Sequence, residues 1–242
     1  MKKRHSEISA RLPEACSIAR GIAFNEQTVS KYFDKLEEVL MRHENFRNGS
    51  REFNLQLDET FTSTVQNRVK VISPKGAKQI HQIKAAERGT SVTSTFIIGA
   101  NGTIVPPVLI FPRKKFVPAM LLGAYPGTLG LANAKGYMTK ESFFEVLKHY
   151  IKWTQSSIEN PSLLALDNVL SHFSSETIKL ARENGVTILT FPPHCTHRLQ
   201  PLDVGFNGPF KTYYDQAVHS YYISNPASQP PSITLQVLSL QP

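Results

Sequence analysis

Apolar residues recur along this chain at several spacings, and each spacing predicts a different element. In EQTVSKYFDKLEEVLMRH, Val29, Phe33, Leu36, Val39 and Leu40 fall on one helical face, so this stretch reads as an amphipathic helix packing on the downstream domain. In REFNLQLDET, Phe53, Leu55 and Leu57 alternate with polar residues, the pattern of a half-buried strand ending at Asp58. RVKVIS is a second short candidate. TSVTSTFIIGA and TIVPPVLIF meet at Asn101-Gly102, which predicts a hairpin. The pair Pro106-Pro107 puts the second of these strands at a sheet edge or a bulge. SLLALD and VTILTF are short apolar runs, the mark of buried strands.

Between them come helices with readable ends. Thr139 looks like an N-cap for KESFFEVLKHYIKW, with Phe143, Phe144, Leu147, Tyr150 and Ile151 inward. SSETIKLAREN is closed by Gly185, and Gly208-Pro209 opens a helix with Phe210, Tyr213, Tyr214, Ala217, Val218 and Tyr221 on one stripe. From Pro112 to Gly136 no period emerges, and a long irregular loop is expected. Strand, hairpin, helix, strand, helix, strand, helix predicts an α/β fold: a mixed sheet with helices on both faces and a parallel β-α-β crossover in its second half. The break at Asn48-Gly49 divides an N-terminal helical segment, 1–50, from the main domain, 51–223, and a flexible tail occupies 224–242.

Charge adds a location to this picture. Of the net +8, six units fall within residues 51–120. A patch for a polyanion and an ordinary lysine-rich surface both fit. With 40% hydrophobic residues in 242, the chain can bury a large core, and whole-chain disorder is excluded. Cys16 and Cys195 stand far apart, which excludes a disulfide scaffold and fits a reducing interior. The start, MKKRHSEISA, lacks the apolar core of a secretory signal, while KKRH resembles a short nuclear address. The uncharged run over 91–112 is interrupted by Asn-Gly and Pro-Pro, so no spanning helix and no membrane partner are expected.

Three carboxylates carry the candidate chemistry. Asp58 and Asp167 each end a strand, and if those strands are parallel neighbours both emerge at the carboxyl edge where open α/β sheets hold ligands. Asp203 precedes the last helix, which could fold back over that edge. Carboxylates brought together repel unless a cation neutralises them. An all-oxygen set favours Mg²⁺ or Mn²⁺, and two such ions can drive phosphodiester cleavage. The plainer alternative is that each aspartate caps a turn. In PPHCTHRLQPLD, His194, Cys195 and His197 match no strong zinc spacing. The stiff loop instead leads to Asp203, with His197, Arg198 and Gln200 facing a phosphate or a base edge, or serving structure alone. FPRKKF sets Arg113, Lys114 and Lys115 between phenylalanines, as a phosphate contact or a solvated strand end. Lys84, Glu87 and Arg88 read either as a nucleic-acid contact or as a surface ion pair.

Taken in order, LDET…TVQ, KGAKQI, ERGTSVT, PPVLIFPR, LLALDN..SH, TFPPHCTHRLQPLDV and GPFK resemble the DDE-type domain of pogo/Tigger/jerky-like transposases, from about Arg11 to Tyr222. The resemblance implies a ribonuclease-H-like fold, a two-metal site and DNA cleavage with strand transfer. By position, Asp58, Asp167 and Asp203 match the family's catalytic aspartates and ligands for Mg²⁺ or Mn²⁺. Lys211 of GPFK joins Arg113, Lys114, Lys115, His197, Arg198 and Gln200 as candidate DNA contacts. DNA is the expected partner, a homo-oligomer is compatible with the resemblance, and the nucleus is the expected compartment. Phe61 stands where the family has glycine, and its bulk is expected to disturb a turn beside Asp58. The family's helix-turn-helix modules are reduced here to the stub RLPEACSIARGIAFN, so a truncated or decayed copy is expected, with segment 1–50 its remnant. The alternatives are a non-catalytic nuclear nucleic-acid-binding protein derived from a transposase, and a nuclease acting on RNA–DNA hybrids.

Overall fold

The computed structural model describes residues 17–42, 54–63, 75–76 and 91–224. KKRH, Cys16, the break near residue 50, RVKVIS, the segment with Lys84, Glu87 and Arg88, and the tail from 225 lie outside the described residues.

The alternating and apolar runs become strands β1 (Asn54–Ser63), β2 (Ser91–Gly99), β3 (Ile104–Pro112), β5 (Ser162–Leu166) and β6 (Val186–Thr190). A further strand, β4 (Leu129–Asn133), lies inside the stretch expected to be an irregular loop. Its five half-buried residues, a glycine among them, give no two-residue period to read. The six form one sheet in the order β4-β3-β2-β1-β5-β6. β1, β5 and β6 run parallel, β2 runs antiparallel to β1 and β3, and β4 is parallel to β3. The C-terminal ends of β1, β3, β4, β5 and β6 therefore share one edge of a mixed sheet.

Strand β1 is longer than its sequence pattern implied. β2 pairs with it from Leu55↔Gly99 to Ser63↔Ser91, so Asp58 sits in mid-strand instead of at the end. No turn comes after Asp58, and Phe61 pairs with Thr93 in the regular ladder, so its bulk disturbs nothing in the backbone. The hairpin at Asn101-Gly102 forms as expected: Gly102 adopts φ 91°, and Asn101 Oδ1 accepts the Thr103 N–H at 2.8 Å. Opposite Pro106-Pro107 the ladder bulges between Thr95 and Ile97, and pairing with β4 begins only at Val108. The missing proline N–H groups thus break no ladder bond.

The helices are α1 (Ile18–Ala23), α2 (Glu26–Met41), α3 (Lys140–Thr154), α4 (Ser175–Glu183), α5 (Thr196–Leu199) and α6 (Asn207–Ser224). Thr139 caps α3 by accepting the Ser142 N–H at 3.2 Å, as its position predicted. Strand alternation divides the core in two. On one face Leu55, Leu57, Leu164 and Leu166 pack with Phe143, Val146, Leu147 and Tyr150 of α3. On the other, Leu163, Ala165, Leu189 and Phe191 pack with Tyr32 and Val39 of α2. Each buried leucine, valine or phenylalanine among them contributes about 1.5–3 kcal/mol by leaving water. Both helical stripes pack inward with one exception each: in α2 Phe33 is exposed and its neighbour Tyr32 is buried, and in α6 Tyr213 is exposed while Tyr214 and Val218 are buried as expected. The Tyr214 hydroxyl donates to the Ser63 carbonyl at 3.1 Å, fastening α6 to the end of β1.

Candidate active site

β1 and β5 are parallel neighbours, paired up to Gln56↔Ala165. Two residues beyond that last pair stand Asp58, still in mid-β1, and Asp167, just past the end of β5, so the two lie on neighbouring strands where β5 stops. Consecutive strand residues face opposite ways, so Asp58 and Glu59 project to opposite sides of the sheet and acquire different partners.

Asp58 turns toward the start of α6. Its Oδ2 accepts Asn207 Nδ2 at 2.6 Å, and its Oδ1 accepts the Glu59 N–H at 2.9 Å. The same Nδ2 donates to Asp203 Oδ1 at 3.2 Å. Asp203 sits on a π-helical turn, Leu202–Phe206, that runs straight into α6 and brings residues 203 and 207 onto one side. Burial and the nearby charge of Asp203 push Asp58 up from the ordinary 3.8 to about 7.

Asp167 is held from the other side. A short 3-10 turn, Leu170–His172, folds the His172 ring back under the strand end, fully buried and 4.5 Å from the Phe143 ring. Nδ1–H donates to Asp167 Oδ1 at 3.1 Å and Nε2–H donates to Glu59 Oε1 at 2.9 Å. Burial alone would push His172 down, but the two carboxylates outweigh it and hold the imidazolium up at about 10. Sequence reasoning gave no role to Glu59, His172 or Asn207. The available signals were Asn207 four residues beyond Asp203, and a histidine shortly after the Asp-Asn pair.

Thus Asp58 and Asp203 are brought together through Asn207, while Asp167 stands at the neighbouring strand end in the grip of His172. Among the described residues, no three His, Cys, Asp or Glu side chains form a ready-made metal cage. The Asp58–Asp203 pair nonetheless fits a divalent cation. Two close carboxylates repel, Asn207 offers them hydrogen bonds but no full charge, and its Oδ1 is buried without a partner. The two carboxylates are hard oxygen donors of the kind Mg²⁺ and Mn²⁺ prefer, and the Asn207 N–H group between them marks the point a cation would take.

The candidate DNA contacts divide by exposure. Arg113, Lys114 and Lys115 are all exposed just past the end of β3, on the carboxyl edge. Arg198 on α5 and Lys211 on α6 are also exposed. His197 is half-buried beside Phe24, with its Nδ1 buried and unpaired. Gln200 is turned inward, only 1% exposed, and its Nε2 donates to the Leu57 carbonyl at 3.4 Å, a brace beneath β1. A groove of about 450 Å³ opens beside Asn168, bordered by Lys31 and Tyr32 of α2 and by Thr190.

Comparison with known proteins agrees with this architecture. Residues 91–239, more than half of the chain, match the DDE superfamily endonuclease family, described as DDE_1. Among curated proteins, a sequence named MFS-type transporter clz9 from Cochliobolus lunatus is 32% identical over 125 residues, covering 51% of this chain and 14% of that protein. Among the described residues no helix is long and apolar enough to cross a membrane. Among solved structures, the Mos1 transposase paired-end complex with left transposon end superposes at TM-score 0.56 with 11% identity, over 98% of this chain and 65% of that one. The Mos1 mariner paired-end complex with Mn gives 0.56 at 12% identity, over 98% and 65%. The complex with Mg gives 0.55 at 12%, over 98% and 64%. The chain thus spans just under two thirds of those transposase chains and shares their fold. On the family match and this architecture together, the chain belongs to the DDE superfamily endonucleases.

Proposed function

We propose that this chain cleaves DNA phosphodiesters in a metal-dependent reaction and transfers the resulting strand end, acting in the nucleus. The catalytic unit spans 51–223, flanked by the helical segment 1–50 and the tail 224–242. One observation carries the reading: Asp58 and Asp203, 145 positions apart in the sequence, meet around an amide whose oxygen has no partner. Asp58 and Asp203 would hold the divalent cation in place of the Asn207 amide N–H that links them, with Asp167 supplying the carboxylate from the neighbouring strand. When bound there, Mg²⁺ or Mn²⁺ would supply Lewis acidity and a water of lowered pKa.

The protein's own groups do the rest. His172 holds Asp167 at the strand end and neutralises the charge of Glu59 beside it. Asn207 tethers the Asp58 and Asp203 carboxylates to a common point. Arg113, Lys114, Lys115, Arg198 and Lys211, with His197, would bind the phosphate backbone. Gln200 works from within, bracing the β1 backbone one residue before Asp58.

Nicking of supercoiled plasmid tests this. Nicking is expected in Mn²⁺ or Mg²⁺, none in EDTA, and none with Asp167→Asn in either metal. Nicking that survives Asp167→Asn would remove the assigned site. Binding that persists in EDTA and falls with salt, without nicking in any metal, would establish the non-catalytic nucleic-acid-binding alternative. That alternative draws on the lack of a ready-made three-ligand cage among the described residues.

A further inference from the structure

Above the core on the α3 face, β1 climbs from Leu55 and Leu57, both buried, through Glu59 to Phe61. Phe61 is 52% exposed and meets Tyr137, which is 55% exposed, edge to face at 5.9 Å between ring centres and 87° between planes. Among the ring pairs of the described residues, no other has both partners more than half exposed. Two aromatic rings held together in water, within reach of the polar run DETFTS, leave apolar surface that the core does not use.

The pair is rigidly mounted. Phe61 is locked in the β1–β2 ladder opposite Thr93. Tyr137 is tied on both sides: its carbonyl accepts Asn133 Nδ2 at 2.7 Å, and the preceding Gly136 carbonyl accepts Thr93 Oγ1 at 2.5 Å. Phe61 stands two residues past Glu59, about 7 Å along the strand, and on the same face as the Glu59–His172–Asp167 string. Lys135 and Lys140 flank Tyr137 in sequence, and the Arg113, Lys114 and Lys115 run lies at the same sheet edge. Rigid aromatic faces beside a row of cations are what a single nucleic-acid strand requires: stacking for its bases and charge for its phosphates.

We propose that Phe61 and Tyr137 form a stacking platform for an unpaired nucleobase on the Glu59–His172 face of the sheet, opposite the face on which Asp58 meets Asp203 and Asn207. The proposal rests on the nucleic-acid reading of the site. It gives that reading a preference for a frayed or overhanging DNA end, since a base within a duplex offers no free face.

The test uses the full chain in EDTA with a duplex bearing a short 3′ overhang that contains 2-aminopurine. The wild type is expected to quench 2-aminopurine emission on binding and to bind the overhang more tightly than a blunt duplex. Phe61→Ala and Tyr137→Ala should each weaken overhang binding about tenfold and abolish the quench, with the salt slope unchanged. Phe61→Trp should restore both. Lys114→Glu should instead make the salt slope shallower. Unquenched emission in wild-type complexes, or alanine variants that bind the overhang as tightly as wild type, overturns the platform and leaves DNA binding standing. Absence of any binding at low salt removes the nucleic-acid reading itself. The wild-type quench needs no variant to fold, and thermal melting of each variant separates lost stacking from lost structure.

Discussion

At the scale of single residues, charge decides how this site behaves. Asp58 is raised to about 7 by burial and by Asp203, so between about pH 4 and 7 the folded state holds a proton that the unfolded chain has released. Stability of the metal-free protein should therefore fall as pH rises through that window. Asp58→Asn should remove the slope and leave a protein more stable than wild type above pH 7, measured by urea midpoints in EDTA. His172 has the opposite charge type and a different window. Its folded value of about 10 exceeds the ordinary 6.5, so its contribution is complete below 6.5 and is lost as pH rises toward 10. His172→Gln should flatten that upper window and cost about 2 kcal/mol at pH 7, because Glu59 and Asp167 each lose a charged donor. Asp167 and Asp203 were legible in the sequence as a strand-end and a pre-helix carboxylate, and Asp58 as a strand carboxylate, although it sits in mid-strand and not at the end. Glu59, His172 and Asn207 were not, because their roles come from partners 113 and 149 positions away.

At the scale of elements, turns and caps are local and could be read directly. Thr139, Asn101-Gly102 and Gly185 all stand where their chemistry predicted. Gly185 joins α4 to β6 at φ +63°, and a Cβ there would collide with the Ser157 backbone. Gly185→Ala should therefore cost at least ~1 kcal/mol, read as a lower melting temperature. Partnered lengths could not be read. β1 extends five residues past Asp58 only because β2 supplies a partner for each of them. β4 exists because β3 offers it a ladder from Val108 to Pro112, although its own sequence carries no strand signal. Single positions at the margins of the α2 and α6 stripes could not be read either: Phe33 lies one helical step of about 100° from the buried Tyr32, and Tyr213 one step from the buried Tyr214, and only the docked sheet decides which of each pair is covered.

At the scale of the whole molecule, the sheet order places a repelling carboxylate pair, a histidine-held aspartate and a basic rim on one edge. A cation that binds only the folded state stabilises it by mass action. Millimolar Mg²⁺ or Mn²⁺ should raise the melting temperature of the wild type and leave that of Asp203→Asn unmoved. An equal rise in both would place the bound ion elsewhere.

The sequence by itself determined the periodic elements, their caps and the three aspartates, because each of these depends on residues within a few positions of one another. Tertiary structure alone decided which acid met which partner: Asp58 met Asp203 through Asn207, and Asp167 met His172. It also decided how far β1 ran, whether β4 formed, and that Phe61 stood in the open beside Tyr137. Those outcomes depend on pairing between segments far apart in the chain, and a local pattern carries no record of the neighbour that will complete it.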